Sequence, residues 1–286
     1  MSWIPTSIKN QTSATHILEK TKLHNYGLMP NFPPFSAHPT MNGEILGRIA
    51  VGAISVHPNI ARVTLCFASF FPSKFVKIFF FFPPHPQLKE KTVVFDDGFE
   101  IEADVVIYST GYEISFPFLD QKEVPVDDNK VDLYKFVFPP THKHATLAFV
   151  GLIQPWGAIM PISEMQARWI TRVFNGKSSL VSKKDMWADI KRTQEEMALR
   201  YKKSARHTIQ IDYVPYMDEI AKLIGVYPSF WQIFLKDRSL LKEIFVGATV
   251  PAQYRLIGPN SSPEAPAIIR TVMQRAVFPS RTREGE

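Results

Sequence analysis

One cysteine, Cys66, stands in 286 residues. That excludes an intramolecular disulfide and any cysteine-built zinc site, and it points to a reducing compartment. No run reaches the roughly 18 apolar residues of a transmembrane helix. The nearest, Phe75 to Phe82, is interrupted by Lys77 and stopped by Pro83-Pro84. Met1 to Asn10 has neither a charged n-region nor a long apolar core, so no signal peptide is expected. The chain holds no GxGxxG, P-loop, HExxH or GxSxG motif. The histidines are scattered; only His142 and His144 lie close, and two solvated loop residues explain them better than metal ligands. Net charge is +6 but no basic block carries it. The densest group, Arg200, Lys202, Lys203 and Arg206 beside His207, suits the C-terminal end of a solvated helix, and nucleic acid is not an expected partner.

What is present is a globular composition, 45% hydrophobic and 21% charged. Residues 16–23 form a short amphipathic stretch before a Pro-rich turn. Between His38 and Val56, loose alternation of Ile45, Ile49, Val51, Ile54 and Val56 predicts short strands at a sheet edge. Residues 61–91 differ in kind: eight phenylalanines fall between Phe67 and Phe82 with no helical or strand period. Such a run is an aggregation hazard. A membrane-dipping loop and a buried strand pair remain open for it, but an insertion foreign to the fold is preferred, because Pro58-Asn59-Ile60 and Thr92 to Phe95 would join naturally without it.

From Thr92 the pattern is regular. Thr92 to Asp96 predicts a strand, Asp97-Gly98 a hairpin turn, and Phe99 to Ile101 the return. Asp104 to Tyr108 predicts a buried strand entering a tight turn at Thr110-Gly111, where α/β proteins place ligands. Leu133 to Phe138 and Ala145 to Val150 are further strand candidates. Beyond Gly157 the period becomes helical: Ile162, Met165, Trp169 and Val173 share a face, and Asn175-Gly176 is a stop. Ser182 with Asp185 opens a second helix through Met186, Ile190, Met197 and Tyr201. Asp212 caps a third, reaching Gly225; Phe230–Phe245 and Ala265–Val277 are each expected as one amphipathic stretch. The carboxylates are exposed turn residues or surface pairs such as Glu164–Arg168. No side-chain constellation specifies hydrolysis or group transfer.

Tyr108-Ser109-Thr110-Gly111-Tyr112 followed by Phe116-Pro117-Phe118-Leu119 resembles the flavin-containing monooxygenases. The resemblance continues through Leu133 to Pro139, Phe149 to Pro155, Met160 to Trp169, Asp212-Tyr213, Tyr216 to Glu219 and Tyr254 to Pro259. Upstream, Asn25 to Leu28 and Asn42 to Arg48 are similar to the family's middle region. It covers roughly residues 16–60 and 92–278.

The resemblance implies an NADPH- and FAD-dependent oxygenation of soft nitrogen and sulfur nucleophiles through a flavin C4a-hydroperoxide, with small-molecule amines and sulfides as substrates. The cofactor supplies the difficult chemistry and the protein supplies binding, orientation and dryness, in keeping with the lack of a catalytic triad. Gln154 matches a glutamine near the flavin ring, Gly151 and Gly157 positions of close backbone approach to the cofactor, and Thr110, Gly111 and Tyr112 the passage between two cofactor domains. The implied fold is α/β, an incomplete two-dinucleotide-binding flavoprotein fold with a C-terminal helical region. Residues 1–60 would be a remnant of the nicotinamide domain, 61–91 an insertion, 92–160 a returning part of the FAD domain and 161–286 the helices. The family's pyrophosphate-binding turns match nothing here, so a truncated, non-catalytic fragment acting by self- or hetero-association through exposed apolar surface, or by membrane-surface association, is the alternative. The family implies the endoplasmic reticulum membrane; without an apolar C-terminal segment, a cytoplasmic location is the other expectation.

Overall fold

The computed structural model describes residues 22–29, 33, 36–37, 44–64, 92–202, 204–205 and 207–278. Most of the amphipathic stretch 16–23 and the whole phenylalanine run lie outside these. The chain divides into two units: one comprises residues 18–31 and 40–111, the other residues 1–17, 32–39 and 112–286. The last change of unit along the chain falls at Gly111–Tyr112, within the TGY segment.

In the smaller unit, a helix, α1 (Ile45–Ala50), stands where strands are expected; residues 38–43 of that expectation lie outside the described residues. Leu46, Arg48 and Ala50 are good helix formers, Glu44 and Arg48 pair at 3.3 Å one turn apart, and Gly52 at φ +74° closes the turn. Three antiparallel strands follow: β1 (Ile60–Thr64), β2 (Thr92–Phe95) and β3 (Glu100–Glu102), with β2 central. The Asp97-Gly98 turn forms as expected: Gly98 takes φ +82°, and Asp97 Oδ1 accepts from the Phe99 amide at 3.0 Å. His57 stacks on Phe95 and Phe99, each at 4.5 Å. Arg62, Val63 and Thr64 pair with Val94, Val93 and Thr92. Thr64 and Thr92 are cross-strand partners, so residues 65–91 depart from and return to one end of a strand pair.

Asp104 to Tyr108 is neither a strand nor buried. Val105 and Ile107 are 76% and 83% exposed. Strand-forming residues become a strand only where a ladder accepts their N–H and C=O groups. Among the described residues none offers one beyond β3.

The larger unit begins with a small hairpin, β4 (Val126–Asp127) and β5 (Lys130–Val131), turned by Asp128 and Asn129 at positive φ. The expected strands at Leu133–Phe138 and Ala145–Val150 are loops. Lys135 and Phe136 take φ of 53° and 57°, which folds the chain back so that Tyr134 and Phe138 bond each other. Leu133, Tyr134, Phe136, Val137 and Phe138 are then all buried, whereas a strand would send alternate residues to opposite faces.

β6 (Gln154–Trp156) leads into α2 (Ile159–Phe174), whose Ile162, Met165, Trp169 and Val173 are buried as their spacing requires. α3 (Lys183–Arg200) opens at Ser182, whose Oγ accepts from the Asp185 amide at 3.2 Å. β7 (Gln210–Asp212) runs parallel to β6, and α4 (Tyr213–Ile224) ends at Gly225, φ +82°. Asp212 sits at the cap position of α4 but does not bond its amides; its carboxylate accepts from Tyr201 Oη at 3.2 Å and Arg200 at 3.5 Å. α2 packs on α4 over a core in which Phe138 meets Trp169 edge-on at 5.0 Å.

The two C-terminal stretches expected as single helices are each broken. α5 (Phe230–Lys236) and α6 (Arg238–Val246) part at Asp237, which caps α6; α7 (Ala265–Arg270) and α8 (Val272–Val277) part at Thr271. Ile233, Leu240, Ile244, Ala252, Ala265 and Ile269 close a second core beneath them.

Candidate functional site

The segment Gly151–Gly157 carries the side chains the sequence singles out, and its shape is set from behind. Gly151 has φ +78°, a conformation costly for any residue with a Cβ, and a Cβ there would stand 3.2 Å from Ser163 Oγ. Its amide donates to Gln166 Oε1 at 2.8 Å; Gln166 Nε2 donates to Tyr216 Oη at 2.8 Å, and that hydroxyl donates to the Lys135 carbonyl at 2.6 Å. Burial, opposed by the Gln166 hydrogen bond and aided by the carboxylates of Glu219 and Asp189, pushes the Tyr216 phenol up, so it stays a donor. Gln154 is half-buried at the start of β6, its amide bonded to the Ile209 carbonyl at 2.7 Å. At Gly157, φ +147°, a Cβ would lie 2.8 Å from Tyr213 Cγ, so the close approach this glycine permits is that of the Tyr213 ring.

Lys135, whose carbonyl ends that chain of bonds, places its ammonium 2.7 Å from Asp189 and 2.6 Å from Glu219. Arg192 adds contacts to Asp189 at 2.7 Å and Glu196 at 2.8 Å. Burial, reinforced by Asp189 and Glu219, raises the neighbouring Tyr134 phenol to about 12. A cleft of about 930 Å³ opens beside this group, walled by α3, β7, α4 and the loop after Tyr201. It mixes charged groups (Lys135, Glu196, Glu219) with apolar ones such as Ile190 and Met197.

The six residues expected to touch a cofactor therefore divide. Gly151, Gln154 and Gly157 come together around the entry to α2. Thr110 and Gly111 belong to the smaller unit. Tyr112 is 96% exposed, and its carbonyl accepts from Asn129 Nδ2 at 3.0 Å. Asn129 also accepts from the Ile114 amide at 2.7 Å and donates to the Ala205 carbonyl at 3.1 Å, fixing the chain just past TGY. No group of three metal-ligating side chains gathers among the described residues; His142 instead faces Glu123 at 3.5 Å. Glu164 and Arg168 pair at 3.7 Å as expected, with Arg255 added at 2.5 Å from Glu164.

Sequence reasoning missed Gln166, Asn129 and Gln210. The signal for Gln166 was an amide inside the apolar stripe of α2. Gln210 is fully buried, yet neither its Oε1 nor its Nε2 has a hydrogen-bond partner among the described residues. It is the register partner of Gln154 across β6–β7. A flavin ring edge alternates donors and acceptors, and a pair of carboxamides on one sheet face fits it. The pyrophosphate has no such fit, since the 286 residues contain no GxGxxG turn.

The family model for flavin-binding monooxygenase-like proteins matches residues 71–286. Flavin-containing monooxygenase 5 of Rattus norvegicus is 40% identical over 278 residues, 97% of this chain and 47% of that protein. Dimethylaniline monooxygenase (N-oxide-forming) 2 of Mus musculus is 38% identical over 260 residues, 91% of this chain and 44% of that one. Among solved structures, S-allyl-L-cysteine S-oxygenase of Allium sativum is 33% identical, with a TM-score of 0.42 over 65% of this chain and 41% of that chain. The chain spans about half the length of the curated relatives it matches. From its match over three-quarters of its length, this chain belongs to the flavin-binding monooxygenase-like family.

Proposed function

We propose that this chain forms the ring-contacting part of an NADPH- and FAD-dependent monooxygenase that oxygenates soft nucleophilic amines and sulfides. The observation that carries this reading is the Gly151–Gln154 turn, fixed through Gln166 and Tyr216 so that Gln154 is held at the sheet edge. When bound, FAD would accept reducing equivalents from NADPH and activate oxygen. The chain's own part is to orient the ring through Gln154, to hold the Gly151 turn rigid and to exclude water with the α2–α4 core. Thr110, Gly111 and Tyr112 would form the passage between FAD-binding and nicotinamide-binding parts; the change of unit at Gly111–Tyr112 supports that assignment. Residues 1–60 would then derive from the nicotinamide domain, 92–160 from the FAD domain and 161–286 from the helical region. A place at the endoplasmic reticulum membrane belongs to the same reading; no helix of the described residues is long and apolar enough to cross a membrane.

A second reading is favoured by one sequence observation, the missing GxGxxG turn: a non-catalytic chain that acts by association. Exposed Val105, Ile107 and Tyr108 would supply apolar surface for it. The two separate in one experiment. Purified with excess FAD and freed of unbound cofactor, the protein should show a flavin band near one per chain and oxidise NADPH faster when a tertiary amine is added. Colourless protein overturns the enzymatic reading.

A further inference from the structure

We propose that Gln210 is a positioning residue that acts through Gln154, setting which end of the Gln154 carboxamide faces bound flavin. The inference rests on the flavin-contact reading above but concerns a residue that reading does not use. Three observations meet at this position. Gln210 is 0% exposed, and both ends of its amide lack hydrogen-bond partners among the described residues. It lies opposite Gln154 in the parallel β6–β7 pair, and register partners point to the same face of a sheet. It is also among the residues that line the cleft walled by α3 and α4.

A buried carboxamide with neither donor nor acceptor satisfied opposes folding, and native proteins rarely keep one without a use. Gln166, 0% exposed as well, shows what a structural glutamine does in this unit: its oxygen and nitrogen both have partners. Gln210 differs because its neighbour in register is a half-buried amide of identical chemistry. Two carboxamides can pair head to head, N–H to O in both directions. Formed as flavin binds, that pairing would leave Gln154 one free N–H and one free lone pair in a fixed order. A ring edge with alternating donors and acceptors is sensitive to that order.

The test compares Gln210→Met with the wild type, using the whole chain and FAD as the probe. Met keeps the length of the side chain and removes the unpaired amide. Without FAD, the thermal midpoint of Gln210→Met should equal or exceed that of the wild type, because an uncompensated buried amide is gone. FAD affinity should fall about tenfold, the equivalent of one good hydrogen bond. Gln154→Leu should lose a similar factor, and the double variant no more than the larger single loss. Side-chain amide NMR gives a readout on unsubstituted protein: the Gln210 NH2 signals should shift on adding FAD. A lowered midpoint with unchanged FAD affinity, additive losses, or NH2 signals indifferent to FAD would each make Gln210 a packing residue and overturn the proposal. Wild-type protein that binds FAD while Gln210→Met binds it equally sinks this inference alone. Wild-type protein that binds no FAD removes the flavin-contact reading and this inference with it.

Discussion

Gln166 is the one polar residue on the buried face of α2, and it holds Gly151 and Tyr216 at once. Gln166→Leu keeps the bulk but leaves the Gly151 amide and the Tyr216 hydroxyl each short of a partner. Leaving such groups unsatisfied costs about 1–3 kcal/mol apiece, so a loss of roughly 2–6 kcal/mol is expected in urea unfolding. Set against Gln210→Met, which should cost nothing, it separates two buried glutamines by what surrounds them. Neither role was legible in the sequence, because a glutamine's meaning depends on which groups fold up against it. The buried face around Gln166 was legible, since Ile162, Met165, Trp169 and Val173 recur at helical steps. The resemblance gives Gly157 a close approach to the cofactor; within the protein itself the group that a Cβ there would meet is the Tyr213 ring.

At the scale of elements, helices were read correctly where an apolar stripe and a stop agreed, as in α2, α3 and α4. Strands were read well only where a turn fixed their pairing, as at Asp97-Gly98. Asp104–Tyr108 and Leu133–Phe138 have strand composition, but the first lacks a ladder and the second is bent by two left-handed residues. Asp237 shows how an element boundary can hide inside an amphipathic run. Its carboxylate caps the Leu240 amide and contacts Arg270 and Ser239. The Leu240 amide first, then Arg270 and Ser239, lower its pKa from 3.8 to about 2. A carboxyl with a depressed folded pKa stabilises above the unfolded value, and that contribution fades as pH falls through the folded one. Amide exchange at the start of α6 should therefore quicken between about pH 4 and pH 2. Asp237→Asn, which keeps a capping oxygen but not the charge, should lose that pH dependence.

At the scale of the molecule, the last change of unit along the chain follows an exposed, extended segment. Val105, Ile107, Tyr108 and Tyr112 are open to solvent, and among the described residues no ladder bonds protect Asp104–Tyr108. Brief chymotrypsin digestion should cut after Tyr108 or Tyr112 before it cuts within α2–α4, yielding a C-terminal fragment of residues 109–286 or 113–286 by mass. A first cut within α3 or α4 would count against that description. The sequence carried the lineage of the whole molecule because long stretches such as Met160–Trp169 match the family. The molecule's partition into units arises from contacts distant in the chain.

The β1–β2 pair has a last consequence. Its ends, Thr64 and Thr92, face each other across the ladder. Closing a flexible loop costs only about 0.6 kcal/mol more for each doubling of its length. Register between β1 and β2 is therefore set by their own ladder, from Ile60–Phe95 to Thr64–Thr92, and not by the length of chain that joins them.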